Sequence, residues 1–474
     1  MSSAGDRVSA GGRAGDAAPV PTREDPVAVA ASEVAGGPLG RYAVAGARGW
    51  RYYAGALAAA SALPVALGVT MRAHCIDSGW STPDQFWHAC FSDIPATYKD
   101  QGLTAGFWAL LTGAAGGPTP VQPPLTSLVM TLLASLVPAA PMEDQSRFYF
   151  GLWAVLGAVL IALTTWWTAA TTPRLPWNAA HVALSPVVAL TLVVAPDVLG
   201  LVLTAAGMYL WSRQRLVASG VLLGLAVSAR SYPVVILLAI MLLALRSGRV
   251  RAAALTVGAA AGAFAAVLLV LVVANPAAAW LPYQSWARSG PGFGTPWLLP
   301  QLAGYTVPNA IVTAMCVMGW VAALLTGAAL ALGARRRPTV AEVALVMLVV
   351  VMVTGKSVPV QSSLWLVPLV ALVGLRWKDH LLWAGAEALH FIAVWLYFAT
   401  SVTPDRGLPA GWYGFFLLLR VAAMGWLARR TWQVAWDRAP APEDDTTADP
   451  PVADPDGADG VLSGRPDALV VRFS

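Results

Sequence analysis

The feature that most limits this chain is an apolar run that keeps returning, about 15–25 residues long, the length that crosses a ~30 Å hydrocarbon core. Twelve candidate runs fall at 52–70, 148–170, 178–195, 198–211, 216–229, 233–245, 252–274, 307–333, 339–354, 361–376, 381–400 and 411–428. Apolar residues make up 57% of the chain and charged residues 12%, against roughly 25% charged in an ordinary soluble domain. No water-soluble core hides that much apolar surface. Composition therefore excludes a soluble enzyme, a nucleic-acid module and a secreted disulfide scaffold, and predicts an all-α polytopic membrane protein. The net charge of +5 implies no nucleic-acid partner, because the arginines sit in short clusters beside the apolar runs.

A thirteenth apolar stretch, 122–140, is ambiguous, and the arginines decide it. Basic clusters fall at Arg41/Arg48/Arg51, Arg174, Arg213/Arg215, Arg246/Arg249/Arg251, Arg335/Arg336/Arg337, Arg376/Lys378 and Arg429/Arg430. With twelve crossings and both termini inside a plasma membrane, all of these face the cytoplasm. A thirteenth crossing would send every cluster after the first to the outside. The 122–140 stretch therefore reads as a helix in the outer interface, entered through Pro123-Pro124, within a first external loop spanning 71–147. Residues 1–45 and 437–474 are polar and rich in small residues or Asp-Pro, and read as disordered cytoplasmic tails around a 46–430 transmembrane domain. No cleavable leader is expected.

On this topology the polar residues collect at the outer face. Asp93 stands in Cys90-Phe91-Ser92-Asp93-Ile94-Pro95, where Pro95 stiffens the chain; a carboxylate held there suits a general base, or else a solvated cap. Asp197 starts the 198–211 run, where the helix dipole alone would favour it. Arg230, between two short runs, and Lys356, at the 354–361 turn, are external cations against the inside bias, and such residues mark sites. Two fixed cations beside a cavity suit a phosphate. The 275–306 loop is glycine-rich but lacks the Gly-Lys-Ser/Thr of a P-loop. Glu387 and Arg420 lie at similar depth in the last two runs and predict a structural ion pair. The five histidines show no metal-ligand spacing, so no metal site is expected. Cys75 and Cys90 share a loop facing an oxidising compartment, where they can pair, and Cys316 reads as packing.

The stretch Cys75…Gly79-Trp80…Asp84-Gln85-Phe86-Trp87-His88-Ala89-Cys90-Phe91-Ser92-Asp93-Ile94-Pro95-Ala96 resembles the first external loop of actinobacterial membrane proteins related to glycosyltransferase family 87. Further matches follow in order at Pro123-Pro124-Leu125-Thr126, Asp197, Tyr232-Pro233, and Lys356 through Gln361 to Pro368, covering about residues 45–430. The chain has Ala195-Pro196-Asp197 where the family often has Asn-Trp-Asp, and Ser228-Ala229-Arg230 where it often has Ala-Ala-Lys. The resemblance implies a GT-C-like helical bundle with an interface helix in the first external loop. It also implies an inverting transferase working from a polyprenyl-phosphate sugar, typically mannose, to a cell-envelope glycan or glycolipid acceptor. Asp93 would be the base, while Asp197, Arg230, Tyr232, Lys356 and Gln361 would bind donor or acceptor. No cofactor is required, and a divalent metal stays open. The rival readings are a carrier or flippase for a lipid-linked or anionic solute, and a non-catalytic envelope scaffold.

Overall fold

The computed structural model describes residues 49–114, 117–437 and 457–471, and among these it contains helices and no strands. Six helices are long and apolar enough to cross a membrane: Trp50–Thr70, Met142–Thr171, Val250–Ala274, Asn309–Gly333, Trp377–Val402 and Ala410–Trp436. Shorter apolar helices complete the bundle, among them Val198–Ser212, Leu216–Ala229, Pro233–Arg246 and Val340–Thr354. The architecture is that of a helical membrane protein. Residues 1–48, which contain the expected N-terminal tail, lie outside the described residues.

Proline and short polar side chains set where the helices begin. Pro124, Pro233 and Pro276 each occupy the first turn, where a missing N–H costs nothing. Thr339 and Glu342 form a reciprocal capping box that opens Val340–Thr354. Two of the twelve apolar runs are broken rather than continuous. Residues 178–195 divide into Pro176–Ala179, Ala180–Ala183 and Pro186–Thr191, with Ser185 Oγ accepting from the Val187 N–H at 3.3 Å. Residues 361–376 divide into a 3₁₀ segment, Val360–Leu366, and Val367–Val373, stopped by Gly374 at φ +71°. Non-helical backbone at membrane depth needs protein around it. These two segments pack against each other inside the bundle, and Ser362, Ser363, Leu364 and Leu366 are all buried.

The 122–140 stretch contains one helix of 11 residues, Pro124–Ala134, about 16 Å long and half of what a crossing needs. Thr126 Oγ1 donates to the Ala229 carbonyl at 2.9 Å, which docks this helix on the end of Leu216–Ala229.

Three helices, Val198–Ser212, Pro233–Arg246 and Val340–Thr354, run between two polar ends of the bundle. Their near ends carry Asp197, Tyr232 and the turn to Lys356. Their far ends meet a segment expected to be disordered. That expectation fails for 457–471, which packs. Asp467 pairs with Arg246 at 2.7 Å and with Arg337 at 3.3 Å, Asp459 Oδ1 accepts from the Val340 N–H at 2.8 Å, and Leu462 is fully buried. The physical reason is complementarity: the carboxylates of this polar stretch meet two arginines and a helix N-terminus, where the Val340 N–H is left over beside the Thr339–Glu342 capping box. Residues 438–456 lie outside the described residues.

Candidate functional site

The site is assembled by the loop that precedes Asp93. Cys75 and Cys90 are disulfide-bonded and close a short, helix-containing loop. Immediately after it, Ser92 Oγ donates to the Val193 carbonyl at 2.7 Å and accepts from the Ile94 N–H, capping the Asp93–Asp100 helix. The Asp93 N–H donates to the Val194 carbonyl at 2.7 Å. Because Val194 lies just upstream of Asp197, these bonds bring two carboxylates from distant parts of the chain to one place.

Asp197 does not cap its helix with its side chain. Its Oδ2 instead accepts from Arg230 Nη2 at 2.8 Å and its Oδ1 from Trp365 Nε1 at 3.0 Å. Arg230 also donates to Gln122 Oε1 at 2.8 Å. Gly200 makes room for this arginine, since a Cβ there would stand 3.2 Å from Arg230 Cβ and Cγ. Tyr232 stacks on Trp365, with ring centroids 4.9 Å apart and an 11° interplanar angle. Gln361 Nε2 sits 3.4 Å from Asp93 Oδ2. Asp93, Asp197, Arg230, Tyr232 and Gln361 thus converge.

Lys356 does not join them. Its ammonium is buried and donates to the carbonyls of Trp286, Ala287 and Ser289 at 3.1–3.2 Å, closing the end of the Pro276–Arg288 helix, with Trp286 beneath it. Lysine donors near a helix C-terminus satisfy its orphan carbonyls. The expectation of two cations facing one phosphate is therefore replaced by one arginine at the site and one lysine holding its wall. The wall itself is a pairing of 292–294 with 356–358: the Gly292 N–H donates to the Lys356 carbonyl at 2.7 Å and the Val358 N–H to the Phe293 carbonyl at 3.1 Å. Gly294, at φ +80°, leaves no room for a Cβ against the Val358 carbonyl.

A cavity of about 200 Å³ opens beside Asp93, lined by Phe86, Phe91, Phe293, Trp395 and Phe398 together with Gln361 and His390. Burial pushes the Asp93 carboxyl up to about 7, reinforced by the negative charge of Asp197, while Arg230 and Gln361 pull the other way. A larger and more open groove at Trp87 and Arg406 carries no carboxylate.

The turn that carries Gln361 is clamped from behind. Arg420 donates to the Val358 carbonyl at 2.5 Å, to the Pro359 carbonyl at 3.3 Å and to Ser363 Oγ at 2.9 Å, and its Nε meets Glu387 Oε2 at 2.8 Å. The ion pair expected from matched depth is present.

Sequence reasoning did not find His390, Gln122 or the role of Trp365. His390 is fully buried, lines the cavity, and has no hydrogen-bond partner for either ring nitrogen among the described residues. A histidine inside an apolar run was the available signal. The histidines show no metal-ligand spacing along the chain, yet the fold gathers His74, Asp84 and His88 into one cluster.

The class that fold and site define is a helical membrane protein with a buried carboxylate lining an aromatic cavity at one end of its helices. No protein-family model matches this chain, and no curated protein matches it either.

Proposed function

We propose that the chain is an inverting glycosyltransferase of GT-C-like architecture, with about twelve crossings, that takes a sugar from a polyprenyl-phosphate donor on the extracytoplasmic face. The observation that carries this reading is Asp93. Its carboxyl is raised to about 7 at the wall of an aromatic cavity, beside an Asp197–Arg230 pair. A general base is most effective when its pKa lies near the working pH.

The acceptor hydroxyl loses its proton to Asp93 as its oxygen forms a bond to the anomeric carbon. The bond from that carbon to the phosphate oxygen breaks, and polyprenyl phosphate leaves with the electron pair. A phosphate leaving group needs charge stabilisation more than protonation. Arg230 supplies it, already aimed by Asp197 and Gln122. The aromatic wall receives the apolar faces of the sugar, and His390 offers two unused ring nitrogens to its hydroxyls. Mannose is the preferred sugar, and an envelope glycan or glycolipid the preferred acceptor, on the resemblance alone.

The test is transfer of labelled sugar from polyprenyl-phosphate-mannose in membranes, comparing wild type with Asp93→Asn at equal expression. Transfer that disappears in the variant supports the reading. Transfer in both moves the base to another group, Asp197 first. Transfer in neither favours a different donor, or the carrier and scaffold readings.

A further inference from the structure

On the exposed side of the disulfide-closed loop, away from the cavity, three potential metal ligands meet. Asp84 Oδ2 lies 2.5 Å from His74 Nε2, and Asp84 Oδ1 lies 3.2 Å from His88 Nδ1. The two imidazoles stack with centroids 3.6 Å apart. We infer that His74, Asp84 and His88 form a binding site for one divalent transition-metal ion of the zinc class.

The donor set selects the ion. Two imidazoles and one carboxylate suit zinc and its neighbours, whereas calcium and magnesium favour all-oxygen shells. The candidate ligand atoms all lie within 4.8 Å of one another. A tetrahedral site with bonds of about 2.0–2.1 Å needs them roughly 3.3–3.5 Å apart, so closure asks only for small side-chain rotations. The backbone is already arranged for it. Asp84 and His88 are separated by one helical turn, as the first residue and C-cap of the Asp84–Trp87 helix. His74 comes from the neighbouring Ala73–Ser78 helix, and the Cys75–Cys90 bond fastens the chain beside both histidines. The two histidines are the ion-pair partners of Asp84 among the described residues, and no lysine or arginine competes for its carboxylate there. Both histidines are exposed, which provides an entry path and leaves a fourth position for water.

Placement gives the ion a purpose. The same short helix that carries Asp84 carries Phe86, which lines the cavity beside Asp93. A bound ion braces that wall from outside. This inference stands whether or not the chain transfers sugars.

The experiment is zinc titration of the full chain, purified in detergent on a histidine-free tag after chelator treatment. One zinc per chain is expected, with affinity lowered at least about tenfold in His74→Ala and in His88→Ala. The disulfide and the melting temperature without metal serve as controls for folding. A second measurement needs only wild type: zinc should protect His74 and His88 from modification by diethylpyrocarbonate, read by peptide mass. No zinc bound by wild type, affinity unchanged in both variants, or unprotected histidines in zinc-saturated protein would each overturn the site.

Discussion

Two arginine–carboxylate pairs sit near the same end of the bundle, with the same 2.8 Å separation, and they do different work. Arg420 and Glu387 are 0% and 2% exposed, and every other donor of Arg420 is spent on the turn it clamps. Arg230 and Asp197 are 11% and 3% exposed and lie near enough to Asp93 for both charges to act on its carboxyl. A closed pair fixes geometry, because loss of one partner strands a charge in a dry interior. A pair open on one side keeps donors for a ligand and sets the potential that a neighbouring acid feels. Distance alone does not separate the two. What surrounds each guanidinium does.

The sharpest way to break the comparison is Arg420→Ala. It should cost about 3–5 kcal/mol by leaving Glu387 unpaired, seen as a large fall in melting temperature in detergent and loss of folded protein from membranes. Arg230→Ala should lower the melting temperature less, because its guanidinium is 11% exposed and holds fewer backbone groups; an equal loss in both variants would collapse the distinction.

Asp93→Asn comes next. Transfer should fall about 10²–10⁴-fold, the usual contribution of a positioned base, and the wild-type rate should climb with pH through about 7 as the carboxyl deprotonates. The stability effect has the opposite sign. Between the ordinary value of 3.8 and about 7, the folded chain keeps a proton on Asp93 that the unfolded chain has released. Stability therefore falls as pH rises through that window. The asparagine variant should lose this slope and melt higher than wild type at pH 8, measured by thermal scans at pH 5 and 8.

A smaller effect is expected from Arg230→Ala on the donor itself. The donor KM should rise about tenfold or more with a lesser change in kcat, consistent with loss of a charge-assisted contact. Steady-state kinetics with varied polyprenyl-phosphate sugar reads this directly.

Smallest of the set is Trp365→Phe. It removes the indole N–H that holds Asp197 but keeps a ring to stack on Tyr232. A several-fold loss of transfer with an unchanged melting temperature is expected. A variant as active as wild type would show that Arg230 alone positions Asp197.

Much of this site was legible because charge inside apolar sequence is rare and costly. Asp197, Arg230, Glu387 and Arg420 stand out for that reason, and the last two could be matched by depth along their runs; Asp93 stands in a polar loop and was marked instead by its proline-stiffened turn and by the resemblance. Lys356 stood out equally, yet its partners are backbone carbonyls of the Pro276–Arg288 helix, and carbonyls leave no mark on a sequence. Trp365 and Gln122 were hidden for a related reason: each acts through one side-chain hydrogen bond that is set by packing rather than spacing.

The chain by itself determined that it is built of apolar helices and that a helix is entered through Pro123-Pro124. These follow from transfer free energies and backbone hydrogen bonding, which act locally along the chain. Tertiary structure alone decided which carboxylate meets which arginine, that residues 457–471 dock on Arg246 and Arg337, and that His74, Asp84 and His88 share one corner. Those outcomes depend on distances between segments far apart in sequence. A side chain's charge is written in its residue type, but its role follows from which partners the packed helices bring within about 3 Å.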